Sequence, residues 1–214
     1  MWNEQIIMML LEGIKDTLYM TLTSTLIGYV IGLPMGILLT VTDKDGIHPN
    51  TAVYKVLDVI ANLIRSVPFL ILLIVLIPFT RFLIGRSYGP TATIVPLVIA
   101  AAPYIARMVE SSLKEVDAGV IEAARSMGAS NFTIVTKVML VEARTSLIVG
   151  ATISLGTILG YSAMAGTVGG GGLGDIAIRY GYTRWQTDIM IVTVILLVIL
   201  FQIFQTIGMK LASN

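Results

Sequence analysis

The chain has 214 residues, 56% of them hydrophobic and only 13% charged, with a formal net charge of +1 and a mean hydropathy of +0.88. A typical soluble domain is roughly 25% charged, so this composition excludes a water-soluble enzyme and predicts one helical membrane domain over 1–214. Cysteine is absent and histidine occurs once, which excludes thiolate metal sites, disulfides and thiol nucleophiles together; the scattered basic residues leave no footprint for nucleic acid.

In chain order, residues 2–12 hold an apolar run, Ile6 to Leu11, between Glu4 and Glu12. The run is too short to span a bilayer, which predicts an interfacial helix over 1–12. No small-x-small cleavage site follows, so the first span is expected to act as the insertion signal. That span covers 17–41 and carries Gly28, Gly32 and Gly36 every four residues, a small-residue stripe that lets another helix approach closely. Pro34 is a candidate bend. A polar loop follows, Asp43-Lys44-Asp45-Gly46, and His48 beside Pro49 reads as a solvated loop histidine because a metal site needs several ligands.

The second span is expected over 61–79, extended on the near side by 56–60, and contains Asn62, Arg65 and Pro68. A charge so close to a span either anchors the helix at the interface or serves a pathway, and the residues leave both open for Arg65. The third span, 91–109, holds Pro96 and Pro103, tolerated because neighbouring helices can satisfy the freed carbonyls. Arg107 and Glu110, three apart on one face, are expected to pair.

The polar stretch 110–144 is set between apolar segments. Asp117 can cap a short helix over about 119–127, with Val120, Ala123, Ala124 and Met127 on one face and Gly128 turning the chain just beyond its end. Such a helix is about 13 Å long, a peg rather than a wall. Ser130 can start a second helix. Ala123 and Ala124 leave little side chain, so a partner can approach the backbone, and Glu122 in the first turns is favoured by the helix dipole.

The fourth span covers 145–161, continuing toward 168, with two small sides, Ser146/Gly150/Ser154 and Gly156/Gly160; one can face a partner helix and the other a substrate path. A polar, glycine-rich connection is expected over 166–186. Its Gly169, Gly171 and Gly174 satisfy G-x-G-x-x-G only formally, since a membrane span and not a strand precedes them, and Gly-Lys-Ser/Thr is missing. The chain is therefore expected to hold no nucleotide itself. The glycines supply a flexible or tightly turned re-entry. The last span covers 189–211.

Glu122-Ala123-Ala124, three further residues, Gly128, nine residues, then Val138-Met139-Leu140 resembles the EAA loop of binding-protein-dependent ABC importer permeases, departing from its Ile-x-Leu-Pro ending at Val138 and Val141. Arg65-Ser66-Val67-Pro68-Phe69, Ala102-Pro103-Tyr104-Ile105-Ala106-Arg107-Met108-Val109-Glu110, and Gly160-Tyr161-Ser162-Ala163-Met164-Ala165-Gly166-Thr167-Val168 with the segment Asp175 to Tyr182 are similar to the permease subunits of methionine ABC importers. The resemblance implies an all-α type I importer permease of five transmembrane helices, with a cytoplasmic coupling helix at Glu122, Ala123, Ala124 and Gly128. It also implies two ABC ATPase subunits carrying ATP and Mg, a second copy of this chain, and an extracytoplasmic substrate-binding lipoprotein.

Tyr161, Ser162 and Met164 end a span rich in small residues and are candidates to line or gate the path; simple core packing of Met164 is the plain alternative. Five spans put the termini on opposite faces of a bacterial plasma membrane. Lys44, Lys55, Arg65, Arg107, Lys114, Arg125, Lys137, Arg144 and Lys210 then fall inside or near it, and Lys15, Arg81, Arg86, Arg179 and Arg184 outside, which favours N-terminus out and C-terminus in. Another amino acid or a small peptide is an alternative cargo. A secondary transporter driven by an ion gradient would want acidic groups at mid-membrane, and Asp and Glu here keep to span ends and loops; a membrane-embedded enzyme would want His, Cys or paired carboxylates there.

Overall fold

Between Glu4 and Thr42 only Pro34 opposes a helix, and the chain forms one continuous helix of 39 residues, α1 (Glu4–Thr42). The computed structural model describes residues 4–213. At 1.5 Å per residue α1 is about 58 Å long, nearly twice the roughly 30 Å depth of the hydrocarbon layer. Residues 4–12, expected as a separate interfacial helix, are instead the opening turns of α1. No proline interrupts them, and Gly13, the weak helix former there, is buried against Leu173 and Ile176. Residues 1–3 of that expected helix lie outside the described residues.

The second span is not one helix. It is a pair, α2 (Thr51–Ser66) and α3 (Phe69–Val75), bent by 101°. Pro68 lacks an N–H and crowds the residue before it out of helical geometry; Val67 accordingly sits at φ −83, ψ 125. Hydropathy alone reads 61–79 as continuous because it carries no direction. After α4 (Ile77–Ile84) comes α5 (Pro90–Lys114), which runs unbroken through Pro96 and Pro103, both buried.

The remaining elements are α6 (Ala118–Ser126), α7 (Asn131–Thr133), a π-helical stretch (Ile134–Met139), α8 (Leu140–Glu142), α9 (Arg144–Ala165), a 3-10 turn (Gly166–Val168), α10 (Gly172–Ile176), a second π-helical stretch (Ala177–Tyr182) and α11 (Thr187–Ala212). Among the described residues there is no strand. Four helices, α1, α5, α9 with its 3-10 turn, and α11, are long and apolar enough to cross a membrane, and the bent α2–α3 pair makes a fifth crossing if counted as one.

The glycine stripe of α1 decides the packing at the centre. A Cβ at Gly32 would lie 2.6 Å from the Ala102 carbonyl oxygen, and one at Gly36 would lie 2.5 Å from that of Ala106, so α1 and α5 meet backbone to backbone. The main core gathers around α5, with Leu97, Ile105, Val109 and Leu113 packed among Met20, Phe69, Leu72 and Ile158. On α9 both small sides are occupied by helices: the Ser146 hydroxyl donates to Ser112 Oγ at 3.0 Å, and Gly156 faces the Phe201 ring of α11. Gly160 alone of these positions has open space beside it.

The connection expected over 166–186 as a polar loop is largely packed. A Cβ at Gly166 would collide with the backbone of Gly174 and Asp175, and a Cβ at Gly174 with the backbone of Ala163. The Leu173 N–H donates to Thr17 Oγ1 at 2.9 Å, and the Gly89 N–H to the Gly169 carbonyl at 2.9 Å. Of the two expected roles for these glycines, the tight turn is the one realised.

Candidate functional site

The polar stretch folds as its local signals dictate. Asp117 caps α6, its Oδ1 accepting from the Gly119 N–H at 2.7 Å. At the other end the Gly128 N–H donates to Arg125 O at 2.9 Å and the Ala129 N–H to Ala124 O at 3.1 Å, a Schellman closure with Gly128 at φ +84. A side chain at Gly128 would meet nothing within 4 Å, so the backbone angle alone explains the glycine. Ser130 accepts from the Thr133 N–H at 3.2 Å and opens α7.

The peg has two unlike faces. Ala124, 6% exposed, and Ile121 pack into the main core together with Ile134 and Met139 of the following stretch. Val120, Ala123 and Met127 point outward; Met127 is 82% exposed, and Phe132 beyond the turn is also bare. The expectation that Ala124 shares the face of Val120, Ala123 and Met127 is thus corrected: it lies about 100° from Ala123 around the helix, at the edge of that stripe, and the core covers it there. Glu122 is exposed and lines, with Asp43, Lys114 and Arg125 and with Ile121 and Met139, a cavity of about 480 Å³ between the peg and the loop after α1. Arg125 spans the two, donating to the Ile47 carbonyl at 2.9 Å.

Above the peg runs a chain of alternating charges. Arg107 pairs with Asp58 of α2, donates to Asn62 Oδ1 at 2.9 Å, and donates to Glu110 Oε2 at 2.6 Å. Glu110, 5% exposed, also takes Lys114 at 2.8 Å, and Lys114 reaches Asp43 Oδ2 at 2.6 Å. The Lys114 ammonium donating to it holds the Asp43 carboxyl below the usual carboxylate range. The Arg107–Glu110 pair was expected; Asp58, Asn62 and Asp43 were missed as members. The readable signal for Asp58 and Asn62 was a polar stripe, Asp58, Asn62 and Arg65, at steps of four and three along α2.

Of the three residues proposed for a path, two share a face. Tyr161 stacks on Phe69 with ring centroids 4.4 Å apart and planes 5° from parallel, and Met164, one turn on, is 51% exposed. Ser162 is turned away: it is 1% exposed, donates to Leu159 O at 2.8 Å, and lies 3.4 Å from Thr21 Oγ1 of α1. Arg65 is exposed near the end of α2 and lines a cavity of about 180 Å³ with Phe69, Tyr104 and Tyr161. No group of three or more His, Cys, Asp or Glu suited to a metal ion occurs among the described residues.

Comparison with known proteins bears on this arrangement. Residues 16–210 match the family described as binding-protein-dependent transport system inner membrane component. The probable D-methionine transport system permease protein MetI of Vibrio cholerae is 48% identical over 200 residues, covering 94% of this chain and 89% of the relative. The corresponding Escherichia coli protein is 50% identical over 164 residues, 77% and 76% of the two chains. A solved structure of inward-facing conformations of the MetNI methionine ABC transporter superimposes with a TM-score of 0.97 at 47% identity, over 99% of this chain and 98% of that one. An amino acid ABC transporter structure shares the fold at TM-score 0.80 and 21% identity.

Proposed function

The chain belongs to the binding-protein-dependent transport system inner membrane components, and from that premise we propose that it is the permease subunit of an ABC importer carrying methionine, D or L, across the bacterial plasma membrane. It works as transport machinery and not as an enzyme. In this reading ATP and Mg are held by two copies of a partner ATPase, two copies of this chain pair about a twofold axis, and an extracytoplasmic lipoprotein delivers the substrate. Residues 1–214 form one permease domain in contact with lipid, with 110–144 cytoplasmic, 166–186 on the outer side, the N-terminus outside and the C-terminus inside.

The observation that carries the reading is the two-faced peg. An apolar outward face at Val120, Ala123 and Met127 is costly in water and suits a cleft on another protein. The inner face shares one core with α5 through Ala124, Ile134 and Met139, and close-packed interiors transmit displacement. Glu122, Ala123, Ala124 and Gly128 form the coupling element: Ala123 meets the ATPase, Ala124 lets the peg sit tight on the core, Gly128 makes the turn, and Glu122 faces the cavity beside the loop after α1. A push on the peg reaches α5, then α2 through Asp58 and Arg107. Tyr161 and Met164 line or gate the path, and Ser162 supports them from the α1 side.

The test is import into proteoliposomes holding the complex of this chain, its ATPase and its binding protein. ATP-dependent methionine uptake that disappears in Glu122→Lys and Gly128→Arg, with the chain still inserted, supports the reading. Normal import by either variant removes the coupling assignment. Uptake that runs on an ion gradient without ATP overturns the whole proposal.

A further inference from the structure

Two arginines lie along the facing surfaces of α2 and α5, and they are used differently. Arg107 is held by Asp58, Asn62 and Glu110 through its two terminal nitrogens. Arg65 continues the same stripe of α2 yet has neither an ion pair nor a side-chain hydrogen bond among the described residues. It stands one residue before the end of the 16-residue α2, just ahead of the bend into α3. An unpaired guanidinium keeps its donors free for water or for an anionic group.

What Arg65 lines is a cavity of about 180 Å³ shared with Phe69, Leu72, Ala100, Tyr104 and Tyr161. That is below the roughly 300 Å³ at which pockets for drug-sized ligands begin, and it suits a single small amino acid. One end is cationic and the wall is the stacked Phe69–Tyr161 pair. A guanidinium matches a carboxylate with two parallel hydrogen bonds, and a thioether makes favourable contacts with aromatic rings.

Resting on the import reading above, we infer that this cavity is a transient substrate site: Arg65 takes the carboxylate of the amino acid in transit, and the Phe69–Tyr161 wall takes its side chain. The site is small and bears one strong anchor, which suits a cargo that must leave again. Tyr161 then has a role in holding substrate, and Arg65 is a binding residue and not an interfacial anchor.

A photoreactive diazirine analogue of methionine, added to the purified complex of this chain with its ATPase, tests the site. Peptide mapping is expected to place label on segments bearing Phe69, Tyr104 or Tyr161. The carboxamide of the same analogue, lacking the negative charge, is expected to label about tenfold less, the loss of roughly one charge-assisted hydrogen bond. Arg65→Gln abolishes that preference, so acid and amide label alike; Arg65→Lys retains part of it. Equal labelling by acid and amide in the unaltered complex, or an undiminished preference in Arg65→Gln, overturns the site. So does failure of both variants to assemble, which assigns Arg65 to structure. If the unaltered complex imports methionine with ATP while the label falls elsewhere, only this site is wrong; if it imports no methionine at all, the transport reading falls as well.

Discussion

The two ends of the bundle are held together by different physics. At the end that carries the peg, α1, α2 and α5 are joined by alternating charges, Asp58, Arg107, Glu110, Lys114 and Asp43. At the glycine-rich end, α9 and α10 touch main chain to main chain at Gly166, Gly174 and Ala163. Ion pairs on long side chains tolerate displacement of an ångström or more by re-aiming; backbone contacts do not. The difference puts the adaptable joint beside the peg and the rigid one far from it.

That contrast is broken most severely by adding bulk at the rigid end. Gly174→Val is expected to cost more than about 3 kcal/mol, since the new side chain meets backbone and not a movable group; size-exclusion profiles of the detergent-solubilised variant should show loss of the folded species. Next comes Glu110→Gln, which removes the carboxylate between Arg107 and Lys114 and leaves each cation one acid partner, Asp58 and Asp43. The loss is expected to be about 1–3 kcal/mol, and thermal unfolding of the complex should register it while Glu110→Asp recovers part of it. Should the glycine variant be mild and the Glu110 variant catastrophic, the comparison is inverted.

Gly128→Ala gives a smaller effect, about 1 kcal/mol, because the side chain meets no atom and only the positive φ opposes it. ATP-driven uptake should fall more than thermal stability does, as the turn aims the peg. The smallest effect is Asp43→Asn, under about 1 kcal/mol for a pair that is partly exposed. Lys114 lowers the Asp43 pKa from 3.8, so its contribution is complete above that value and is lost as pH falls through the lowered one. The stability difference between the native chain and Asp43→Asn should therefore be flat from neutral pH down to about 4 and shrink below it, as pH-dependent unfolding would record.

Much of this was legible in the sequence, and the reason is locality. Asp117, Gly128 and Ser130 act within five residues of themselves, so the peg's caps could be read directly. The Gly28, Gly32 and Gly36 stripe announced a close helix partner, though not that the partner was α5. What escaped were directions and distant pairings. Asp58 and Arg107 are 49 positions apart, and no local rule joins them. Hydropathy cannot see the 101° bend at Pro68, although a proline after an extended residue was the available hint. Neighbours in sequence were also taken for neighbours in space: Ala123 with Ala124, and Tyr161 with Ser162, diverge by about 100° on their helices.

The interlocked backbone at Gly166 and Gly174 has a consequence for how this molecule can change over generations. A contact made through side chains can absorb an exchange by repacking, because volume lost on one side can be regained on the other. A contact made through the main chain has no such reserve, so those positions accept one amino acid and no compensating second substitution. In a saturation-mutagenesis map they should stand out as single-letter columns, while the charged joint tolerates swaps of sign and partner made together.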